Sequence, residues 1–262
     1  MNKHQNYSIV FDMDETLGNF SQLYRIWNLI KIYLSKSELN DKFFYSIIDT
    51  FPLFLRPNIL VLLKNIKQKK LNGLCDYVMI YTNNNGPNEW ANLIKSYFHH
   101  KLKYNLFDQI IRAFKINGKQ IEICRSSHNK SFKDFINCTK LPENTKVCFI
   151  DDQYHKEMEH NNVLYINIEP YFYNIEYEKI ASVFYKNNKH LFNKSINDFL
   201  NYIKLNTNNH NLNAINKTQT QKNIDLLLTY QIIKEVNIFF KTKPKKFTSK
   251  KREKKNKTQK LI

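Results

Sequence analysis

In YSIVFDMDETLGNF, residues 7–20, an apolar run leads directly into two aspartates. Tyr7–Phe11 is short, rich in aromatic and β-branched residues and nearly continuous in its hydrophobicity, which is typical of a parallel strand covered on both faces. Asp12 and Asp14 follow at the tip of this strand. Two carboxylates about 4 Å apart repel each other by roughly 4 kcal/mol at an effective dielectric of 20. The two aspartates at the end of this strand therefore favour a binding site for a cation, which would offset their repulsion.

Four further stretches have the same character, and helical patterns separate them. The predicted strands are residues 77–81, 107–114, 146–150 and 163–166. The predicted helices include 56–70, 88–102 and 131–138, the last with Ser131 as its N-cap. Alternating strands and helices predict an α/β fold, a doubly wound parallel sheet with its ligand site beyond the carboxyl ends of the strands.

The chain divides into a domain and a C-terminal extension. Residues 1–204 form the predicted domain, in which the helical, aromatic-rich segment 19–55 is an insert after the first strand that we expect to cap the site. A polar linker is predicted at 205–223 and an amphipathic helix at 224–240, which can dock on its own domain or on a partner. Residues 241–262, the basic tail, are predicted to be disordered.

The net charge of +18 is concentrated at the C-terminus, because the basic tail holds eleven Lys or Arg and one Glu. The tail is either a solvated segment that only reflects the biased composition of the chain, or an element for nuclear localisation or non-specific nucleic-acid binding. Abundant Asn, Lys, Ile and Tyr are typical of proteins from A·T-rich genomes, such as those of large DNA viruses. Lysines scattered along the chain are therefore weak evidence for a function, and only clustered lysines are considered.

Cysteine usage and hydropathy predict an intracellular protein, cytoplasmic or nuclear, without a membrane span. No apolar run reaches the ~18 residues that a transmembrane helix needs. The cysteines have no C-x-x-C spacing and no signal peptide precedes them, so we expect free buried thiols in a reducing compartment. They are Cys75, Cys124, Cys138 and Cys148.

Polar residues follow three of the predicted strands at the point where each strand ends. They are Asp12, Asp14 and Thr16 after the first, Thr82, Asn83 and Asn84 after the second, and Asp151 and Asp152 after the fourth. Carboxyl ends of parallel strands meet at one edge of a sheet, so we expect these side chains to converge. The oxygen ligands predict a divalent-cation site, which suits Mg²⁺ because Mg²⁺ keeps positions for water and phosphate.

The same segments resemble the four motifs of the haloacid dehalogenase (HAD) superfamily, in order, over about residues 7–167. They are FDMDETLG (11–18), VMIYTNNNG (78–86), a lysine ahead of a helix, and VCFIDDQ (147–153). DETL and LRP (55–57) are similar to the NLI-interacting-factor-like branch, relatives of the RNA polymerase II C-terminal-domain phosphatases. That branch usually has D-N-S-P at the fourth motif, where this chain has DDQY (151–154).

The resemblance implies a role for each residue of the first two motifs. Asp12 matches the nucleophile that forms an aspartyl-phosphate, and Asp14 the general acid and base. Thr82 would bind a phosphoryl oxygen. Asn83 would either line the phosphate loop beside it or, with Asn84, Asn85 and Gly86, simply form a turn. Thr16 would brace the loop after the first strand.

The third motif would supply a lysine, and the fourth would supply carboxylate ligands for the metal ion. Mg²⁺ would be held by Asp12, the backbone carbonyl of Asp14, Asp151 and Asp152. The phosphate-binding lysine is Lys130 or Lys133. We favour Lys130, which directly precedes the expected helix cap, whereas Lys133 lies in a KDF sequence that resembles the KDL of the branch.

Three functions remain open from the sequence. The first is a Mg²⁺-dependent phosphomonoester hydrolase, for which the branch implies phosphoserine or phosphothreonine substrates in proteins. The second is a nucleotide or polynucleotide-end phosphatase, which the basic tail would suit. The third is a non-catalytic HAD scaffold that binds nucleic acid through its tail. Outside the motifs, Arg56 is predicted to be exposed, His155 to be a surface or structural histidine, and Trp27 and Trp90 to lie in the core.

Overall fold

The centre of the molecule is a five-stranded parallel sheet. The computed structural model describes residues 5–35, 39–207, 215 and 217–241. The strands of the whole structure are β1 (Tyr7–Phe11), β2 (Tyr77–Tyr81), β3 (Gln109–Ile111), β4 (Lys115–Ile116), β5 (Lys119–Gln120), β6 (Lys146–Asp151) and β7 (Val163–Asn167). The sheet has the order β3-β2-β1-β6-β7, and β4 and β5 form a separate antiparallel hairpin. The predicted parallel sheet is confirmed.

The sheet reverses its direction of growth between β1 and β6. From β1 the chain builds outward through β2 to β3, then crosses back to place β6 on the other side of β1. Ile9 is thereby paired with Val78 of β2 and with Cys148 of β6. The ladder continues past the end of β1, where the Asp12 N–H donates to the Ile150 carbonyl at 2.9 Å. A reversal point of this kind is where open α/β sheets bind ligands.

Eight α-helices are present in the described residues. They are α1 (Phe20–Leu34), α2 (Asp41–Thr50), α3 (Ile59–Leu71), α4 (Asn88–Leu102), α5 (Phe132–Thr139), α6 (Tyr177–Asn187), α7 (Ile196–Thr207) and α8 (Gln219–Lys241). The predicted cap of α5 is confirmed, because the Asp134 N–H donates to Ser131 Oγ at 3.0 Å.

The two faces of the sheet are covered unequally. Ile9 and Phe11 point into a large core with α1–α4 and α6–α8, whereas Val10 points into a smaller core with Phe132 and Phe135 of α5. Burying one such side chain stabilises the fold by roughly 1.5–3 kcal/mol. Coverage on both faces explains the continuous hydrophobicity of the strands and confirms the predicted α/β class.

The segment 19–55 forms two helices, α1 and α2, as predicted for the insert. Trp27 of α1 packs edge-on against Phe44 of α2, with ring centroids 5.5 Å apart, and Phe44 meets Trp90 of α4. Both tryptophans are buried, so their predicted core position is confirmed. The segment is part of the main core, and Ser21 lies at the edge of the acidic cleft described below. Its action as a cap stays a prediction.

The C-terminal helix α8 docks on its own domain. It packs against α3 and β7, and it buries Ile232, Val236 and Phe240, while the Phe239 ring lies 5.5 Å from that of Tyr7. A polar linker was predicted at 205–223. Helix α7 ends at Thr207 and α8 begins at Gln219, so helices occupy both ends of that stretch. Lys241, the first residue of the predicted basic tail, ends α8, and the rest of that tail lies outside the described residues.

Two sequence expectations about local structure were wrong. Cys124 and Cys138 form a disulfide with Cα atoms 5.0 Å apart, because the chain before α5 folds back beside the helix end; Cys75 and Cys148 are free and buried as expected. Strand β3 spans three residues rather than the predicted 107–114. The next carbonyl, of Arg112, accepts a hydrogen bond from the Arg125 side chain and not from a neighbouring strand.

In the described part of the chain, no helix has the length and hydrophobicity to cross a membrane.

Candidate functional site

A cleft of about 230 Å³, called here the acidic cleft, opens at the carboxyl ends of β1, β2 and β6. Besides Asn84, which was expected at the same strand tip, five residues to which the sequence assigns a role in the site line it. They are Asp12, Asp14, Thr82, Asn83 and Lys130. Glu15, Ser21, Asn84 and Gln153 complete its lining. The predicted convergence of strand tips therefore occurs.

Lys130 bridges two strand tips inside the protein. Its Nζ donates to Asp12 Oδ1 at 2.5 Å and to Asp151 Oδ2 at 2.6 Å, and only 1% of the residue is exposed. Burial alone would lower the pKa of Lys130, but the two carboxylates outweigh it and raise that pKa above its ordinary value. Lys133, the alternative, is exposed on α5 and does not line the cleft. Lys130 is thus a buried lysine that is charged at neutral pH.

Lys130 neutralises only part of the negative charge of the carboxyl groups around it. Burial raises the pKa of Asp12 well above its ordinary value, and the nearby charges of Asp151 and Asp14 add to the effect of burial. Burial likewise raises the pKa of Asp14 to about 6 and that of Glu15 to about 7. Several acidic groups thus share one lysine, an arrangement that favours a further cation.

Three carboxylates lie close enough to share one metal ion. Oxygen atoms of Asp12, Asp151 and Asp152 all lie within 4.8 Å of one another. The group could hold a metal ion, and its all-oxygen donor set fits a hard cation. The Asp14 carboxylate is not in this group, and its backbone carbonyl stays a predicted ligand. Asp14 Oδ2 instead accepts from Asn84 Nδ2 at 2.7 Å, and Asp14 Oδ1 is buried without a hydrogen-bond partner among the described residues.

The loop after β1 is held by a close approach of two backbones. The Glu15 N–H donates to the Gly18 carbonyl at 2.8 Å, with Glu15 in the left-handed region at φ 57°. A Cβ atom at Gly18 would lie 2.4 Å from the Phe54 carbonyl oxygen, closer than any side chain can fit. The glycine of DETLG is therefore required by packing against the segment before α3.

Arg56 was predicted to be exposed, and this was wrong: it is 1% exposed and supports the same loop. It donates through Nε to the Thr16 carbonyl and through Nη2 to the carbonyls of Glu15 and Glu169, at 2.7–2.8 Å. Buried carbonyl oxygens need such donors. Arg56 therefore fixes the backbone that carries the acidic side chains.

Two further buried residues support the site and were not singled out as part of it. Arg125 donates through Nη1 to the carbonyls of Thr82, at 3.3 Å, and Arg112, at 2.8 Å. His155 was predicted to be a surface or structural histidine; it is buried, with Nε2 3.6 Å from Asp151 Oδ2. Burial, with Lys130 and Arg125 nearby, lowers the pKa of His155 to about 4, so its ring is neutral. No sequence motif marks Arg125, whereas Glu15 and Gln153 lie within two of the motifs and His155 lies two residues beyond the fourth.

Comparison with models of protein families finds no match for this chain, and comparison with curated proteins finds none either.

Proposed function

We propose that the chain is a Mg²⁺-dependent phosphomonoester hydrolase of the HAD type. The observation that carries the proposal is the buried bridge from Lys130 to Asp12 and Asp151, in a cleft that also holds Asp14 and Thr82. A phosphatase of this type needs a carboxylate nucleophile, a second carboxyl group for proton transfer and a fixed cation for the phosphoryl group. The cleft contains one candidate for each.

In the first step, a carboxylate oxygen of Asp12 attacks phosphorus and forms a new P–O bond. The bond from phosphorus to the ester oxygen breaks, and the carboxylic acid of Asp14 gives its proton to that oxygen, so the alcohol leaves neutral. Lys130 Nζ and Thr82 Oγ1 bind the phosphoryl oxygens as charge develops on them.

In the second step, water attacks the phosphorus of the Asp12 aspartyl-phosphate. The Asp14 carboxylate takes a proton from this water, the bond from phosphorus to Asp12 breaks, and inorganic phosphate leaves. Asp12 is then again a carboxylate and Asp14 again an acid, so the cycle closes with one water consumed.

Asp12, Asp151 and Asp152 would hold the Mg²⁺. The ion would offset the negative charge of the carboxylates and of the phosphoryl oxygens, which a single lysine leaves uncompensated.

The test is phosphate release from p-nitrophenyl phosphate with and without Mg²⁺. We expect Mg²⁺-dependent turnover by the wild type, and a loss of roughly a thousandfold or more in Asp12→Asn, because the nucleophile is gone. Asp49→Asn, which changes an exposed carboxylate outside the cleft, is the matched control and should keep full activity. Full activity in Asp12→Asn would contradict the proposal. So would a wild type inactive towards p-nitrophenyl phosphate, phosphopeptides and phosphorylated oligonucleotides, and that result would favour a non-catalytic scaffold.

A further inference from the structure

A second cavity, of about 410 Å³, adjoins the acidic cleft. We call it the hairpin pocket, because Ile116 and Ile121 of the β4–β5 region line it together with Arg112. Thr82 and Asn84 line both cavities. A ligand with its phosphate in the acidic cleft would therefore have its next groups at the entrance of the hairpin pocket.

The hairpin pocket has the size and surface of a small-molecule site. Pro87 and Ala91, at the start of α4, and the two isoleucines supply apolar side chains. Its volume falls in the range of about 300–1,000 Å³ usual for ligand sites. Asn85 and Asn88, both exposed, add amide groups that can donate and accept hydrogen bonds. A flat ring with polar edges matches these walls.

Arg112 is the charged residue among those that line the hairpin pocket. Its guanidinium has no hydrogen bond or ion pair with another residue in the part of the chain that the structure describes. Arg56 and Arg125 differ, because backbone carbonyls accept hydrogen bonds from two of the three guanidinium nitrogens of each. Arg112 thus offers a guanidinium for an anionic group of a ligand.

The position of Arg112 is fixed relative to the acidic cleft. Arg125 Nη1 binds the carbonyls of both Arg112 and Thr82, so the backbones at the two cavities are tied through one buried side chain. The Arg112 N–H also donates to Glu122 Oε2 at 3.2 Å, just beyond the hairpin. The pocket and the cleft are therefore held together as one unit, which lowers the cost of binding a two-part ligand.

We propose that the hairpin pocket binds the terminal nucleoside of a phosphorylated nucleic-acid strand, and that Arg112 binds the adjacent phosphodiester. The inference rests on the proposed phosphatase function and names its substrate class. The terminal phosphate lies in the acidic cleft, the base lies between the apolar side chains, and the next phosphate meets the free guanidinium. The net charge of +18 attracts a polyanion. A phosphopeptide has no obligatory second anion to match Arg112.

The kinetic test compares Arg112→Met with the wild type. Substrates are 5′- and 3′-phosphorylated tetranucleotides, the corresponding nucleoside monophosphates, p-nitrophenyl phosphate and a phosphoserine peptide. We expect kcat/KM for the better tetranucleotide to fall roughly tenfold or more through KM, as a charge-assisted contact is lost. Turnover of the monophosphates and of p-nitrophenyl phosphate, which lack a second phosphate, should stay within about twofold. Lys119→Met, at an exposed hairpin lysine outside the pocket, is the matched control.

A binding test separates a phosphate contact from a structural role. Binding of a phosphorylated octanucleotide is measured against salt in the Asp12→Asn background, where turnover is blocked, with and without Arg112→Met. Loss of one phosphate contact on a single strand reduces the slope of log K against log salt by about 0.7. A mere loosening of the hairpin would weaken binding without this change of slope.

Three results would overturn the substrate class while leaving the phosphatase intact. They are equal losses on p-nitrophenyl phosphate and the tetranucleotides, no loss on any substrate, or a phosphopeptide preferred over both tetranucleotides. A wild type that hydrolyses none of the substrates would overturn the phosphatase itself and this inference with it.

Discussion

Thr16 Oγ1 donates to Asp152 Oδ1 at 2.9 Å and accepts the Asp152 N–H at 3.1 Å. This reciprocal pair joins the loop after β1 to the loop after β6, across the point where the sheet reverses. It confirms that Thr16 braces the loop, as the sequence predicts. Thr16 thereby orients Asp152, one of the three candidate metal ligands.

Replacing Thr16 by Val, which has nearly the same shape, should weaken metal binding more than it weakens the fold. We expect about tenfold lower Mg²⁺ affinity, because the groups that orient metal ligands typically contribute 10–100-fold. The free energy of unfolding should fall by about 1 kcal/mol for the lost hydrogen bond. Calorimetric titration and urea denaturation measure the two effects.

Thr145→Val is the matched control for Thr16→Val. Thr145 is also buried, and its Oγ1 donates to the Pro142 carbonyl at 2.6 Å, before β6 and at the opposite edge of the sheet. It should lose similar stability with unchanged Mg²⁺ affinity. Equal Mg²⁺ affinity in both variants would refute the bracing role.

Replacing Lys130 by Met should remove most of the activity. The variant leaves the phosphoryl group and the carboxylates of Asp12 and Asp151 without their buried cation. We expect kcat to fall by roughly 10²–10³, the loss seen when one preorganised charge-stabilising donor is removed. Steady-state kinetics with p-nitrophenyl phosphate measure it. Lys133→Met, three residues on and exposed, should behave as the wild type; a larger loss there would reverse the assignment of the lysine.

The sheet and the site could be predicted because both follow from local pattern and topology. Strands buried on both faces must be continuously apolar, and the carboxyl ends of parallel strands must meet at one edge. Residues 12, 82 and 151 therefore had to converge once the strands were placed. The choice of Lys130 also followed locally, from the Ser131 cap that fixes where α5 begins.

The failures concern contacts that no local sequence pattern specifies. Arg56 is buried because it meets unsatisfied carbonyls at Glu15, Thr16 and, 113 positions away, Glu169. No sequence pattern near Arg56 indicates that those carbonyl groups will surround it. The Cys124–Cys138 pair likewise depends on how the loop before α5 returns, which spacing alone does not specify.

Removing the disulfide should destabilise the segment that carries Lys130. The bridge between Cys124 and Cys138 closes a loop around Lys130 and the start of α5. Closing a loop of about fifteen residues stabilises a fold by about 3 kcal/mol in the chain-entropy account. We expect Cys124→Ser/Cys138→Ser to lose that amount in urea denaturation under oxidising conditions. With dithiothreitol present, the wild type and the double variant should coincide; a difference that persists would mean that the serines themselves disturb the fold.

Stability should fall in mild acid because of His99, on the last turn of α4 and away from the acidic cleft. Its Nε2 accepts the Phe107 N–H at 3.0 Å, so the folded state needs a neutral ring. Burial, followed by the positive charges of Lys95 and Lys70, lowers the pKa of His99 to about 4, and a hydrogen bond with the Asn105 side chain and the charge of Asp108 only partly oppose them. In the unfolded chain the pKa returns to about 6.5. Between these values the unfolded state binds more protons, so stability is complete above pH 6.5 and is lost as the pH falls towards 4.

Unfolding midpoints measured from pH 7.5 to 4.5 test this dependence. His99→Gln keeps a neutral amide at the position, so the decline on acidification should be shallower than in the wild type. His100→Gln, at the exposed neighbour, is the matched control and should follow the wild type. Parallel curves for all three proteins would mean that the acid sensitivity arises at other groups.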